Sequence, residues 1–340
     1  METNLVEPAV TTTAPTIDTD EIRLRWREAR GGTPSTATIN FVVYVENERY
    51  RDWVFERAQG IADKHPSRMI VLDAVKGEHG VRIVGGDAEK KGGPVIFRER
   101  VDLGVDGVRA ANRVHFVESL LVKDLPTVVW WAADRLFESN TFKALLPIVQ
   151  HVILDSSGTG KEPHALQEFA KFFSEHKAAA LDDLAWMRLE PWRDVVAQFF
   201  DDPGLRDELF SLRSVAIASG SESEALYLGC WLASRLGWTV RDGSGFADRS
   251  GTPITFERRR EGEIRRVQSV QLKSATSTYQ AYVDGGEAVC LEVTGKFARA
   301  QQHVPLQAID NMSLIERAIL SQRTDEIFVE ALQTAGALLG

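Results

Sequence analysis

The chain has 340 residues, 44% of them hydrophobic and 26% charged, which is ordinary globular usage and enough for two domains. Forty basic against 49 acidic side chains leave a net charge of −9, which disfavours a general nucleic-acid binder. Two cysteines, Cys230 and Cys290, are too few for a disulfide framework or a cysteine-based zinc site, and they fit a reducing, cytoplasmic setting.

Residues 1–20 are rich in Thr and Pro and lack a basic and an apolar signal region, so they read as a disordered tail. No apolar stretch approaches the ~18 residues of a membrane span, and no membrane partner is expected. Ser35–Val45 reads as a strand and Tyr50–Lys64 as a helix, with Trp53, Ala58 and Ile61 near one face. Arg68–Val75 is a nearly continuous apolar run, as in a strand buried on both faces. Val81–Val84 and Val95–Val101 follow as strands. Ala110, Val114, Val117 and Leu121 make one stripe of a helix over Val108–Lys123, which Asp124-Leu125-Pro126 stops. Thr127–Ala132 and Val149–Leu154 are apolar strands, with a short helix over Thr141–Leu146 between them. Leu166, Phe169, Ala170 and Phe173 stripe a helix over Pro163–His176. Strands alternating with helices predict an α/β layered domain with a largely parallel sheet over 21–180.

Residues 181–204 read as a connector rich in Trp and Arg. Pro191 suits a first helical turn, and Trp192, Val195, Val196, Phe199 and Phe200 stripe the helix that follows. Residues 205–340 read as a smaller α+β domain. Arg213–Ala218 is its first strand, Ser221 and Glu224 form a capping box, and Gly237 stops the helix between. From Pro253 to Val293 the strands read as antiparallel, with a turn at Asp284-Gly285-Gly286. Two helices, about Leu314–Gln322 and Asp325–Leu338, close the chain.

The chemistry is sparse. Ser156, Ser157, Gly158, Thr159, Gly160 and Lys161 sit between a strand and a helix, where a phosphate loop would lie. Asp155 stands where the first glycine of such a loop belongs, and Glu162 replaces the magnesium-binding hydroxyl. Ser156, Ser157, Gly158 and Lys161 remain candidates for an anion site at a helix start. The scattered histidines show no metal-ligand spacing, so no metal and no cofactor is expected. Cys230 lies in an apolar helix, whereas Cys290, on a strand, is a candidate redox thiol. Arg258–Arg266 (RRREGEIRR) reads either as a solvated hairpin or as a grip for an acidic partner or phosphorylated ligand. Trp130, Trp131, Trp186, Arg188, Trp192 and Arg193 are the residue types that dominate binding hot spots and are candidates for partner contact or for packing a domain junction.

Three blocks together resemble a known family: Asp124-Leu-Pro-Thr-Val-Val-Trp-Trp131, Val152-Ile-Leu-Asp-Ser-Ser157, and Asp183-Leu-Ala-Trp-Met-Arg-Leu-Glu-Pro-Trp-Arg193. Their order and spacing, from about Ser35 to Asp202, are similar to those of the glucose-6-phosphate dehydrogenase assembly proteins, OpcA. The resemblance implies a non-enzymatic helper of cyanobacteria and actinobacteria. It would bind glucose-6-phosphate dehydrogenase and promote its active oligomer in the oxidative pentose phosphate pathway, with thioredoxin as a further partner in cyanobacteria. It carries over no residue-level site. The rival expectation is an enzyme or sensor for a sugar phosphate, with its site near Asp134, Asp155, Ser156 and Lys161 at the strand carboxyl ends.

Overall fold

A computed structural model describes residues 17–29, 35–88, 96–134, 136, 138–158, 162–175, 179–241, 245–262, 266–285, 288–307, 309–321 and 323–340. Packing divides the chain into two compact units, Met1–Thr127 with Ser139–Ile148, and Val128–Glu138 with Val149–Gly340. This division follows spatial packing and differs from the expected 21–180, 181–204 and 205–340.

The first unit opens with α1 (Thr19–Ala29), whose first two residues belong to the segment read as a tail. Asp18 accepts hydrogen bonds from the backbone N–H groups of Asp20 and Glu21, and Ile22 and Trp26, one helical turn apart, are buried. Residues 1–16 of the expected tail lie outside the described residues. The unit continues with β1 (Ile39–Val45), α2 (Glu48–Lys64), β2 (Ser67–Asp73), β3 (His79–Ala88), β4 (Ile96–Val105), α3 (Ala110–Leu120) and α4 (Asn140–Leu145). Its strands lie in the order β3-β4-β2-β1, with β1, β2 and β4 parallel and β3 antiparallel to β4. Every residue of β1 is buried, as its apolar run requires. Asn40 is the polar exception: its amide donates to the carbonyls of Val122 and Leu125 and accepts from the Val122 N–H. This one side chain pins the loop after α3. On α2 the buried face is Val54, Ala58, Ile61 and Ala62, while Trp53 stays half-buried with the Arg57 guanidinium over its ring.

The second unit takes β5 (Thr127–Ala132) from its second residue onward, then β6 (His151–Leu154), α5 (Glu162–Glu175) and β7 (Ala180–Asp183). Strands β5, β6 and β7 pair in parallel, so the expected connector begins as a strand. Two helices follow, α6 (Leu184–Arg188) and α7 (Glu190–Gln198), then α8 (Arg206–Phe210). An eight-stranded sheet comprises β8 (Leu212–Ser219), β9 (Thr239–Arg241), β10 (Gly245–Ala247), β11 (Pro253–Arg260), β12 (Val267–Ser274), β13 (Ser277–Val283), β14 (Ala288–Gly295) and β15 (Arg299–Pro305). Its order is β15-β14-β13-β12-β8-β11-β10-β9. Helix α9 (Glu222–Leu236) follows β8, and α10 (Asn311–Leu320) and α11 (Glu326–Leu339) end the chain.

The strands read as antiparallel pair that way, β12 with β13 and β13 with β14, and the sheet departs from this in one pair: β11 runs parallel to β8. Helix α9 carries the chain back after β8, so that β9 at the sheet edge runs the same way as β8, and the antiparallel steps from β9 to β10 and from β10 to β11 bring β11 in parallel beside it. The capping box forms as read, with Ser221 Oγ accepting from the Glu224 N–H, and Gly237 ends α9 at φ 65°. Together the parallel strands and the second, mostly antiparallel sheet with its closing helices form the expected α/β architecture.

Candidate functional site

The distinctive run Asp183–Arg193 begins at the end of β7. Asp183 is fully buried and caps α6, its Oδ1 accepting from the backbone N–H groups of Ala185 (2.9 Å) and Ser156 (3.0 Å). Its Oδ2 accepts from the Tyr227 hydroxyl at 2.7 Å. Burial, reinforced by the nearby Asp155 charge, pushes the Asp183 carboxyl up to about 6 despite these donors. Burial and Asp183 likewise hold the Tyr227 hydroxyl well above its ordinary range.

One turn later Arg188 sits at the centre of an internal network. Its guanidinium donates to Asp155 (2.9 Å) and Glu224 (2.7 Å), and to Ser157 Oγ and Asn311 Oδ1. Burial works against this charge, but Asp155 and Glu224 outweigh it and hold Arg188 firmly protonated. Burial pushes the Glu224 carboxyl up to about 7, with Arg188 opposing and Asp155 and Glu162 adding to the rise. Glu162, read from sequence as a defect in a phosphate loop, accepts from Ser221 Oγ (2.7 Å) and the Ser223 N–H (3.1 Å). It therefore caps the start of α9.

Trp186 is 3% exposed and packs against Tyr227 and Phe328, its Nε1 donating to Asp325 at 3.2 Å. The Arg193 guanidinium lies 4.0 Å from the Trp186 ring and donates to its carbonyl. Burial lowers Arg193 to about 10, against the pull of Asp325, Glu190 and Asp194. Trp192 is 4% exposed on the apolar face of α7, and Trp130 and Trp131 on β5 are each 2% exposed. Adjacent strand residues point to opposite faces, so both faces of β5 are covered. These tryptophans are internal supports, not exposed anchors.

The anion-site candidates are engaged elsewhere. The Ser156 N–H donates to Asp183, the Ser157 N–H to Asp155, and Gly158 closes the short 3-10 turn. Two carboxylates thus occupy the donors a phosphate would need. Lys161 lies outside the described residues, and Asp134 is exposed. Cys290 is 1% exposed on β14, and burial pushes the Cys230 thiol up to about 12. Among the described residues, no group of three or more His, Cys, Asp or Glu side chains is placed to hold a metal ion. No described helix is long and apolar enough to cross a membrane. A groove of about 550 Å³ between α5 and α11, lined by His164, Gln167, Glu168, Lys171, Gln333 and Gly336, shares no residue with the Arg188 network.

Sequence reasoning missed Glu162, Tyr227, Asn311 and Asp325. Only Glu224 carried a signal, as the fourth residue of the capping box, and that signal concerned the helix start rather than Arg188.

Two domain families, each described as part of a glucose-6-phosphate dehydrogenase subunit, match the chain: the N-terminal domain over residues 58–171 and the C-terminal domain over residues 179–332. Together they cover well over half of the chain, which therefore belongs to the OpcA family of glucose-6-phosphate dehydrogenase assembly proteins. A putative OxPP cycle protein OpcA from Nostoc punctiforme is 26% identical over 303 residues, 82% of this chain and 63% of that protein. The Synechocystis protein of the same name is 36% identical over 126 residues, 36% of this chain and 26% of that one. The matches thus span about a quarter to under two thirds of these relatives' length. Among solved structures, the 3-ketoreductase KijD10 from Actinomadura kijaniata aligns with 88% of this chain and 95% of its own at 12% identity, with a TM-score of 0.49.

Proposed function

We propose that this chain is a non-enzymatic assembly factor that binds glucose-6-phosphate dehydrogenase and favours its active oligomer in the oxidative pentose phosphate pathway, in the cytoplasm. The observation that carries this reading is the match, in chain order, of both halves to domains described as parts of a glucose-6-phosphate dehydrogenase subunit. The Arg188 network fits a scaffold role, because its charged groups bond to one another. Trp186, Trp192 and Arg193 then stiffen the second unit from within and position its surface. Activation of this kind is a population shift, and moving an equilibrium from 1:99 to 99:1 takes about 5.5 kcal/mol of differential binding. The reading assigns no thiol step, and so no thioredoxin exchange, to the buried cysteines of the folded chain.

Titration of purified dehydrogenase with this protein tests the proposal. Rising activity at subsaturating substrate, with saturation at a fixed ratio, is expected. Activity and substrate affinity that stay flat across the titration refute it.

A further inference from the structure

The arginine run of β11 is left unexplained by the Arg188 network. On one side β11 pairs with β8 from Thr255 to Arg260, but on the other β10 covers only Pro253 to Thr255. Beyond that point no strand lies along its outer side among the described residues. Arg258, Arg259 and Arg260 are all exposed on this free edge. An edge of this kind presents unpaired backbone N–H and C=O groups ready to accept another strand.

The guanidinium groups face both ways. Phe256 packs against Gly229 of α9, so Arg258 and Arg260, which share its side of the strand, face that helix. Arg258 reaches Glu222 at the start of α9 (3.0 Å). On the opposite face Arg259 forms a two-pronged pair with Glu257 (2.8 and 2.9 Å). Both pairs are solvent-exposed and open to exchange. Arg260 and the exposed Arg266 have no ion-pair partner among the described residues. In a chain of net charge −9, this edge carries more guanidinium than carboxylate.

We propose that the free edge of β11 from Arg258 to Arg260 docks an extended acidic segment of the dehydrogenase, adding it as a strand. The proposal rests on the assembly function above. Charge complementarity selects the occupant: acidic side chains alternating along an added strand meet arginines on both faces, while its backbone completes the ladder. A second copy of this edge would bring like charges together, and Glu222, Glu257 and Glu261 break up the continuous basic field that nucleic acid needs.

The test compares binding of the dehydrogenase to the wild-type chain, to R258E/R259E/R260E and to R258K/R259K/R260K, at low and high salt. Hydrogen exchange at residues 256–260 is followed in each mixture. Charge reversal is expected to weaken binding by about tenfold or more, with the lysine variant near wild type and its salt dependence retained. Exchange at 256–260 slows in the wild-type complex. Equal binding by the reversed variant, or unchanged exchange, overturns the proposal, as does binding of a single-stranded oligonucleotide that the reversal abolishes. A wild-type chain that fails to bind the dehydrogenase at all refutes the assembly function, and the docking strand with it.

Discussion

The guanidinium of Arg188 lies 2.7 Å from the carboxylate of Glu224, whose side chain is 1% exposed. The pair joins the end of α6 to the first turn of α9, and Asp155 shares the same guanidinium. Removing one partner of a buried pair leaves the other charge uncompensated, which costs more than the pair contributes. Arg188→Met is therefore expected to destabilise the second unit by about 3–5 kcal/mol in urea unfolding at pH 7.5. Arg188→Lys keeps the charge but not the fork that reaches several acceptors at once, and should fall between wild type and Arg188→Met. A change of less than about 0.5 kcal/mol in Arg188→Met would place the pair outside the cooperative core.

Asp183 gives the chain a defined pH response. Its carboxyl titrates at about 6 when folded, raised chiefly by burial, against about 4 in the unfolded chain. Between these values the folded state holds a proton that the unfolded state has lost. The stability it contributes is thus complete below about pH 4 and is lost as pH rises through 6. Asp183→Asn does not titrate. Relative to wild type, its stability should rise by about 2 kcal/mol between pH 4.5 and 7.5. Urea midpoints across that range check this, and a constant difference between the two proteins contradicts it.

Much of the fold was legible because local patterns and packing agree. The strand Thr127–Ala132 formed with the limits its apolar run indicated, and Ser221 and Gly237 bound α9 as their chemistry requires. The site was far less legible. The partners of Arg188 lie 31 to 123 residues away in the chain, beyond any spacing rule. Trp130, Trp131, Trp186 and Trp192 have the composition of a binding surface, yet tertiary packing buries all of them. The parallel pairing of β11 was hidden because residue alternation within a strand does not encode the direction of its neighbour.

The cysteines should be silent in the folded chain. Cys230 is fully buried with its thiol held at about 12 by burial, and Cys290 is 1% exposed. Thiolate is the reacting form, so a disulfide-exchange reagent at pH 8 should label neither residue in native buffer and both in denaturant. Fast labelling of Cys290 in the native protein would reopen a redox role for it.

Mass distribution of the dehydrogenase speaks most directly to the assembly role. Purified enzyme is measured by mass photometry at nanomolar concentration, alone and with increasing amounts of this protein. The expected result is depletion of the smaller dehydrogenase species in favour of a larger assembly containing both chains, in step with the gain in activity. An unaltered distribution, with no particle containing both chains, would contradict it.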